Sequence, residues 1–139
     1  QRLPVGEVGG MMAAPRVVEI RLQRSLPSWN MIYAGIHHTR RTILKQEWHN
    51  LVRLEVLAQT YPIDRRKFER PVRIALACVF HGRKSPIDPD NLCAKLVIDG
   101  LIGLLLTDDS PDYVHSVTLG PCTRGPAPLT IIRIEEVPE

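Results

Sequence analysis

Between Val72 and Phe80 the chain alternates, with Val72, Ile74, Leu76, Cys78 and Phe80 on one side and the intervening residues on the other. A period of two sustained over this length marks a strand with one buried face. A lone strand is not stable in water, so the fold must contain a sheet. The same alternation begins at Arg16, where Val18, Ile20 and Leu22 oppose Glu19 and Arg21. Residues 113–119 and Leu129–Glu136 predict two further strands, separated by the turn-rich residues 120–128.

Between these segments the period becomes helical. Over residues 40–60, Leu44, Trp48, Leu51, Val52 and Ala58 share one side, while Lys45, Asn50 and Arg53 lie elsewhere. Glu55 intrudes on the apolar side, against the pattern. Tyr61-Pro62 ends this helix, and a basic connector with Arg65, Arg66, Lys67 and Arg70 follows. A second helix is expected over residues 91–102, with Gly103 as its breaker. Leu26-Pro27-Ser28-Trp29-Asn30 reads as a loop. The expected order is β-α-β-α-β-β in a single mixed α/β (α+β) domain, a mixed sheet with helices packed against it. Residues 16–139 form that domain; residues 1–15 read as a flexible arm or a remnant of expression, with Met11 or Met12 as candidate starts.

A chain of 139 residues buries a real core without disulfides. Its longest apolar run, around Leu101 to Leu106, is far short of the roughly 20 residues that cross a bilayer. Cys78, Cys93 and Cys122 are isolated and odd in number. They read as reduced thiols, which suits a cytoplasmic protein.

Charge is unevenly spread. Residues 1–36 carry +2, residues 37–87 carry eleven basic and four acidic groups, and residues 88–139 carry three basic and nine acidic. A basic middle followed by an acidic third suggests a polyanion-binding surface beside a separate carboxylate site.

That acidic third holds the chemistry. Pro89 biases Asp88 toward extended backbone, and in an extended segment residues two apart point the same way, so Asp88 and Asp90 can converge. Asp90 also stands where a helix N-cap belongs, and a bare Asp-x-Asp equally suits a cap and a turn. In the expected helix, Asn91, Lys95 and Asp99 form a narrow polar stripe among Leu92, Cys93, Ala94, Leu96, Val97, Ile98, Leu101 and Ile102. Buried polar groups need partners. The stripe is either a self-satisfied Lys95–Asp99 pair or a seam supporting a metal site at the helix start. Asp108 and Asp109 add carboxylates that suit a solvated turn or, gathered with the others, a hard cation such as Mg2+.

Asp88-x-Asp90-Asn91, Lys95, Asp99-x-Leu101 and Asp108-Asp109, in this order, resemble the RusA-type Holliday-junction resolvases. Leu26-Pro27-Ser28-Trp29-Asn30-x-x-Tyr33, followed by His37-His38-Thr39-Arg40-Arg41, resembles the same family. The resemblance runs from about Val18 to Leu119. It implies a RusA-like domain acting as an endodeoxyribonuclease in DNA recombination and repair, bacterial or phage-encoded. Asp88, Asp90 and Asp109 are then the ligands of Mg2+, with Mn2+ as an alternative, and are required for cleavage. The family's catalytic lysine falls at Ala94, and Lys95, on the same face relative to Asn91, is expected to stand in for it. Asn91, Asp99 and Asp108 are expected to support these groups. Arg40, Arg41, Lys45, Arg83 and Lys84 are the expected contacts to the DNA backbone, with His37 and His38 beside them. The resemblance further implies branched DNA as partner, the four-way junction above all, and a homodimer.

Two other function classes remain open at this point. One is a branched-DNA-binding module of the same fold with weak or no nuclease activity, which the shifted lysine favours. The other is an unrelated Mg2+-dependent phosphohydrolase, for which the chain lacks any Gly-rich phosphate cradle.

Overall fold

The computed structural model describes residues 14–60, 66–82 and 85–138. Residues 1–13, which hold most of the expected arm and both candidate starts, lie outside them, as do Tyr61, Pro62, Arg65, Arg83 and Lys84.

The expected strands form. They are β1 (Val17–Leu22), β2 (Val72–Phe80), β3 (Val114–Arg124) and β4 (Leu129–Glu136). They make one mixed sheet in the order β1-β4-β2-β3, with β4 antiparallel to both β1 and β2, and β2 parallel to β3. Register aligns the apolar residues in rows across the sheet. Val18, Ile134 and Ile74 form one row, Ile20, Ile132 and Leu76 the next, and Leu22, Thr130 and Cys78 the third. All nine are buried, so one sheet face is the core. Thr130 is the polar member of the rows, and its Oγ1 donates to the Arg24 carbonyl at 2.6 Å, which satisfies it.

Three helices accompany the sheet: α1 (Trp29–Tyr33), α2 (His38–Thr60) and α3 (Lys95–Leu101). The long α2 buries Trp48, Val52, Val56 and Thr60. Ala58 departs from expectation and is exposed. Glu55 finds its explanation in a side-chain clamp. Gln59 accepts the Arg21 N–H at 2.8 Å, donates to the Arg21 carbonyl at 2.7 Å, and donates to Glu55 Oε1 at 2.6 Å. Glu55 thus orients the amide that satisfies the outer edge of β1, where no further strand pairs.

Three expectations about local structure are corrected. Leu26 to Asn30 is not simply a loop, because Ser28 caps α1 by accepting the Met31 N–H at 3.0 Å. Strand β3 runs on through the expected turn to Arg124, because β2 offers it parallel partners as far as Phe80. Pro121 is tolerated there since β3 is an edge strand. The expected helix over residues 91–102 is divided into a 3-10 turn, Pro89–Asn91, and the shorter α3. Leu92 breaks it by pairing with Ser28 in an antiparallel bridge, and Cys93 N–H donates to the Pro27 carbonyl at 3.0 Å. Both residues are fully buried, and the tertiary pairing overrides helix propensity.

Helix α3 lies within the crossover from β2 to β3 and packs on α2 through Gly100. A Cβ there would stand 2.7 Å from Val52 Cβ, so only glycine permits this approach. The crossover therefore carries α3 on α2; Asp99 lies on α3 itself, and the loops on either side carry Asp88, Asp90, Asp108 and Asp109.

Candidate active site

The first turn of α3 presents Lys95, and one turn later Asp99 meets it, with Nζ 3.3 Å from each carboxylate oxygen. The pair is not buried: the side chains are 44% and 35% exposed. The polar stripe thus marks the open face of a helix whose other faces carry the buried Leu96, Val97 and Leu101. Asp99 is the main cause of a Lys95 pKa held above the usual lysine value, by hydrogen bond and by charge, with Tyr33 and Asp109 adding smaller attractions against partial burial.

Lys95, Asp99 and Asp109 line one cavity of about 300 Å3, together with Trp29 and the apolar Ala94, Ile98, Val114 and Val117. Ala94, where the resemblance places a lysine, is 9% exposed and lies on this cavity beside Lys95. The two residues of the expected exchange thus border the same cavity. The stated reason for the exchange is corrected, because Asn91 belongs to the 3-10 turn and shares no helix with either.

Asp88 and Asp90 stand on that turn. Asp88 is extended, as Pro89 requires, at φ −60° and ψ 139°, and makes no side-chain capping bond. Asp90 lies inside the 3-10 turn and caps no helix; the N-cap of α3 is Ala94. The alternation that would aim both carboxylates one way stops at Pro89. The turn rests on β3, where a Cβ at Gly120 would be 3.3 Å from Pro89 Cβ. Asp88 and Asp90 thus sit by the middle of β3, whereas Asp109 sits with Val114 and Val117 near its start. Among the described residues no three His, Cys, Asp or Glu side chains gather as a metal-binding group. Asp108 turns to its own backbone, accepting the Asp109 N–H at 2.7 Å, while Asn91 is half-buried in the turn.

The donor chemistry nonetheless fits a hard cation. Asp88, Asp90 and Asp109 are exposed carboxylates. Mg2+ prefers such oxygen ligands, keeps several waters, and is commonly held by one or two carboxylates together with substrate phosphates.

The expected basic contacts are divided by the faces of α2. Lys45 lines a second cavity of about 280 Å3 with Thr42, Gln46, His49, Leu96 and Asp99. Asp99 is common to both cavities. Arg41 is tied back to α1, its Nε donating to the Ile32 carbonyl at 2.8 Å and its guanidinium 5.2 Å from the Tyr33 ring centre. Arg40 faces a different groove with Met31, Ile36 and Ile43. His37 caps the start of α2, Nδ1 accepting the Thr39 N–H at 3.2 Å, and its ring lies 4.8 Å from that of His38.

No protein-family model matches the chain, and no curated protein matches it.

His49 and the cavity role of Trp29 escape sequence reasoning. His49 had one legible signal: with Thr42, Lys45 and Gln46 it forms an i, i+3, i+4, i+7 polar face. Trp29 had none, because its exposure depends on the short α1 and its stacking on Tyr33, with ring centres 4.7 Å apart.

Proposed function

We propose that the chain is a Mg2+-dependent, structure-selective endodeoxyribonuclease of the RusA type, which resolves four-way DNA junctions by phosphodiester hydrolysis in recombination and repair. The observation that carries this reading is the meeting of Lys95, Asp99 and Asp109 on one cavity, in the chain order of the resolvase motif. The Lys95 ammonium is available to charge that develops on phosphate oxygens. Asp99 holds it there by hydrogen bond and by charge. Asp109, with Asp88 and Asp90 on the neighbouring turn, would hold the Mg2+ or a substituting Mn2+. When bound, the ion supplies neutralisation of the phosphate and activation of water. Lys45 borders the site from α2 and suits a phosphate on the same strand. A junction offers two strands for symmetric cuts, which a homodimer with one site per subunit would answer. The three free thiols suit a reducing cytoplasm.

One observation favours a second reading, a branched-DNA-binding module with weak or no nuclease activity: Ala94 stands where the resemblance places the lysine. A labelled four-way junction and a matched duplex, each incubated with Mg2+ or with EDTA, decide between them. Paired, Mg2+-dependent nicks confined to the junction are expected. Junction binding with intact strands at every Mg2+ concentration would establish the binding module instead.

A further inference from the structure

The chain has two tryptophans, and the fold treats them oppositely. Trp48 is fully buried, whereas Trp29 is 37% exposed on the wall of the cavity that holds Lys95 and Asp109. Val117 of the edge strand β3, which lines the same cavity, is 41% exposed. An exposed indole and an exposed valine on one cavity are apolar surface of the kind that a ligand covers. The indole is also held in place from behind. Tyr33 lies 4.7 Å away at a 33° tilt, and the Tyr33 ring in turn has the Arg41 guanidinium at 5.2 Å and the Lys45 ammonium at 5.5 Å. Trp29 is therefore a supported platform.

The occupant must match a slot with apolar walls and a mixed rim of Lys95, Asp99 and Asp109. An aliphatic ligand leaves the rim unused, and a compact anion leaves the indole bare. A nucleobase meets both, with a π-face for the indole and amino groups at its edge for the carboxylates, while its attached phosphate meets the ammonium. The volume, about 300 Å3, stands at the small end of ligand pockets. We infer that this cavity receives one unpaired nucleobase of the DNA strand, stacked on Trp29 next to the phosphate that Lys95 contacts. The inference rests on the nuclease reading and adds to it a reason for branch selectivity: a paired base is not free to enter, and a base at a strand exchange point is.

The test reads contact quenching of tryptophan emission, which a stacked base exerts on exposed Trp29 and not on buried Trp48, with Trp29→Phe giving the Trp48 background. The protein is titrated in EDTA with a four-way junction carrying one unpaired 2-aminopurine at the branch, with the same junction abasic at that position, with duplex, and with a free nucleoside monophosphate. The base-bearing junction is expected to quench emission and to bind more tightly than the abasic one. In gel-shift titrations of the base-bearing and abasic junctions, Trp29→Ala should weaken the base-dependent part of binding by about 5- to 150-fold, the range for loss of one stacked base. Trp29→Phe, which keeps a ring and guards against a folding defect, should retain most of it. Equal affinity for base-bearing and abasic junctions, unchanged in Trp29→Ala, would overturn the base pocket and leave the nuclease reading standing. Quenching by the free nucleotide as strong as by the junction would overturn the assignment to a DNA strand. Failure of every variant to bind any junction would overturn the pocket together with the nuclease reading.

Discussion

Lys95 and Ala94 show how a single residue's position is read differently along a chain and in space. In the chain the lysine stands one place after the position that the resemblance expects; in the fold both residues border the same cavity. Lys95→Ala should reduce junction cleavage by about 100- to 1,000-fold, the usual loss for one transition-state donor, with binding little changed. Adding Ala94→Lys to that variant should restore part of the rate in single-turnover cleavage. No recovery, in a variant that melts normally, would show that the site demands the later position. The exposed carboxylate of Asp90 answers to a different measurement. Asp90→Asn should abolish cleavage while gel-shift affinity for the junction measured in EDTA stays within a few fold, and full activity would remove it from the site.

The elements are joined by close approaches that sequence periodicity does not specify. Helix α3 is short and carries its two polar groups outward, so its position depends on Gly100 lying against Val52. Gly100→Ala drives a methyl group into a β-branched side chain that has no flexible end to move. A loss of about 1–3 kcal/mol is expected, typical of overpacking, measured by urea denaturation. Val52→Ala in the same chain should recover part of it if that contact is the cause. On α2, Arg40 and Lys45 are separated by about 140° around the helix axis, so one cannot serve the face that the other serves. Junction affinity should fall with salt by a log–log slope of about −0.9 per phosphate contact. Lys45→Ala should make the slope shallower by about one such contact, and Arg40→Ala should leave it unchanged.

At the scale of the whole molecule, the core itself sets a pH limit. Cys78 and Cys93 are fully buried, and burial, partly offset by hydrogen bonds, raises both thiol pKa values above the usual 9.0. As pH rises past 9.0 the unfolded chain loses these protons while the native chain keeps them. The unfolded state then binds fewer protons, so stability falls with rising pH; below that value these thiols contribute no pH dependence. Denaturation midpoints should therefore be flat from these groups at neutral pH and decline as pH passes 9.0, less so in Cys78→Ala. Thiol labelling of the native protein should modify the half-buried Cys122 first, with Cys78 and Cys93 reacting on unfolding. No helix among the described residues is long and apolar enough to cross a membrane.

What the sequence determined by itself is what the backbone encodes locally. Successive side chains on a strand alternate by geometry, so Val18–Ile20–Leu22, Val72–Cys78 and Leu129–Glu136 were legible residue by residue, as was the core face of α2 at Trp48 and Val52. The mixed sheet followed from the order of those segments. Tertiary structure decided the rest, because the deciding contacts join residues distant in the chain. The Ser28–Leu92 bridge cut the expected helix and took Asn91 away from Lys95. Pairing with β2 carried β3 beyond its expected end, and Pro89 seats the turn of Asp88 and Asp90 against Gly120. Aspartate spacing gave the list of candidate groups. Which of them share a cavity with Lys95 and Trp29 depended on where α3 and the edge strand pack, a matter of long-range burial that no local pattern records.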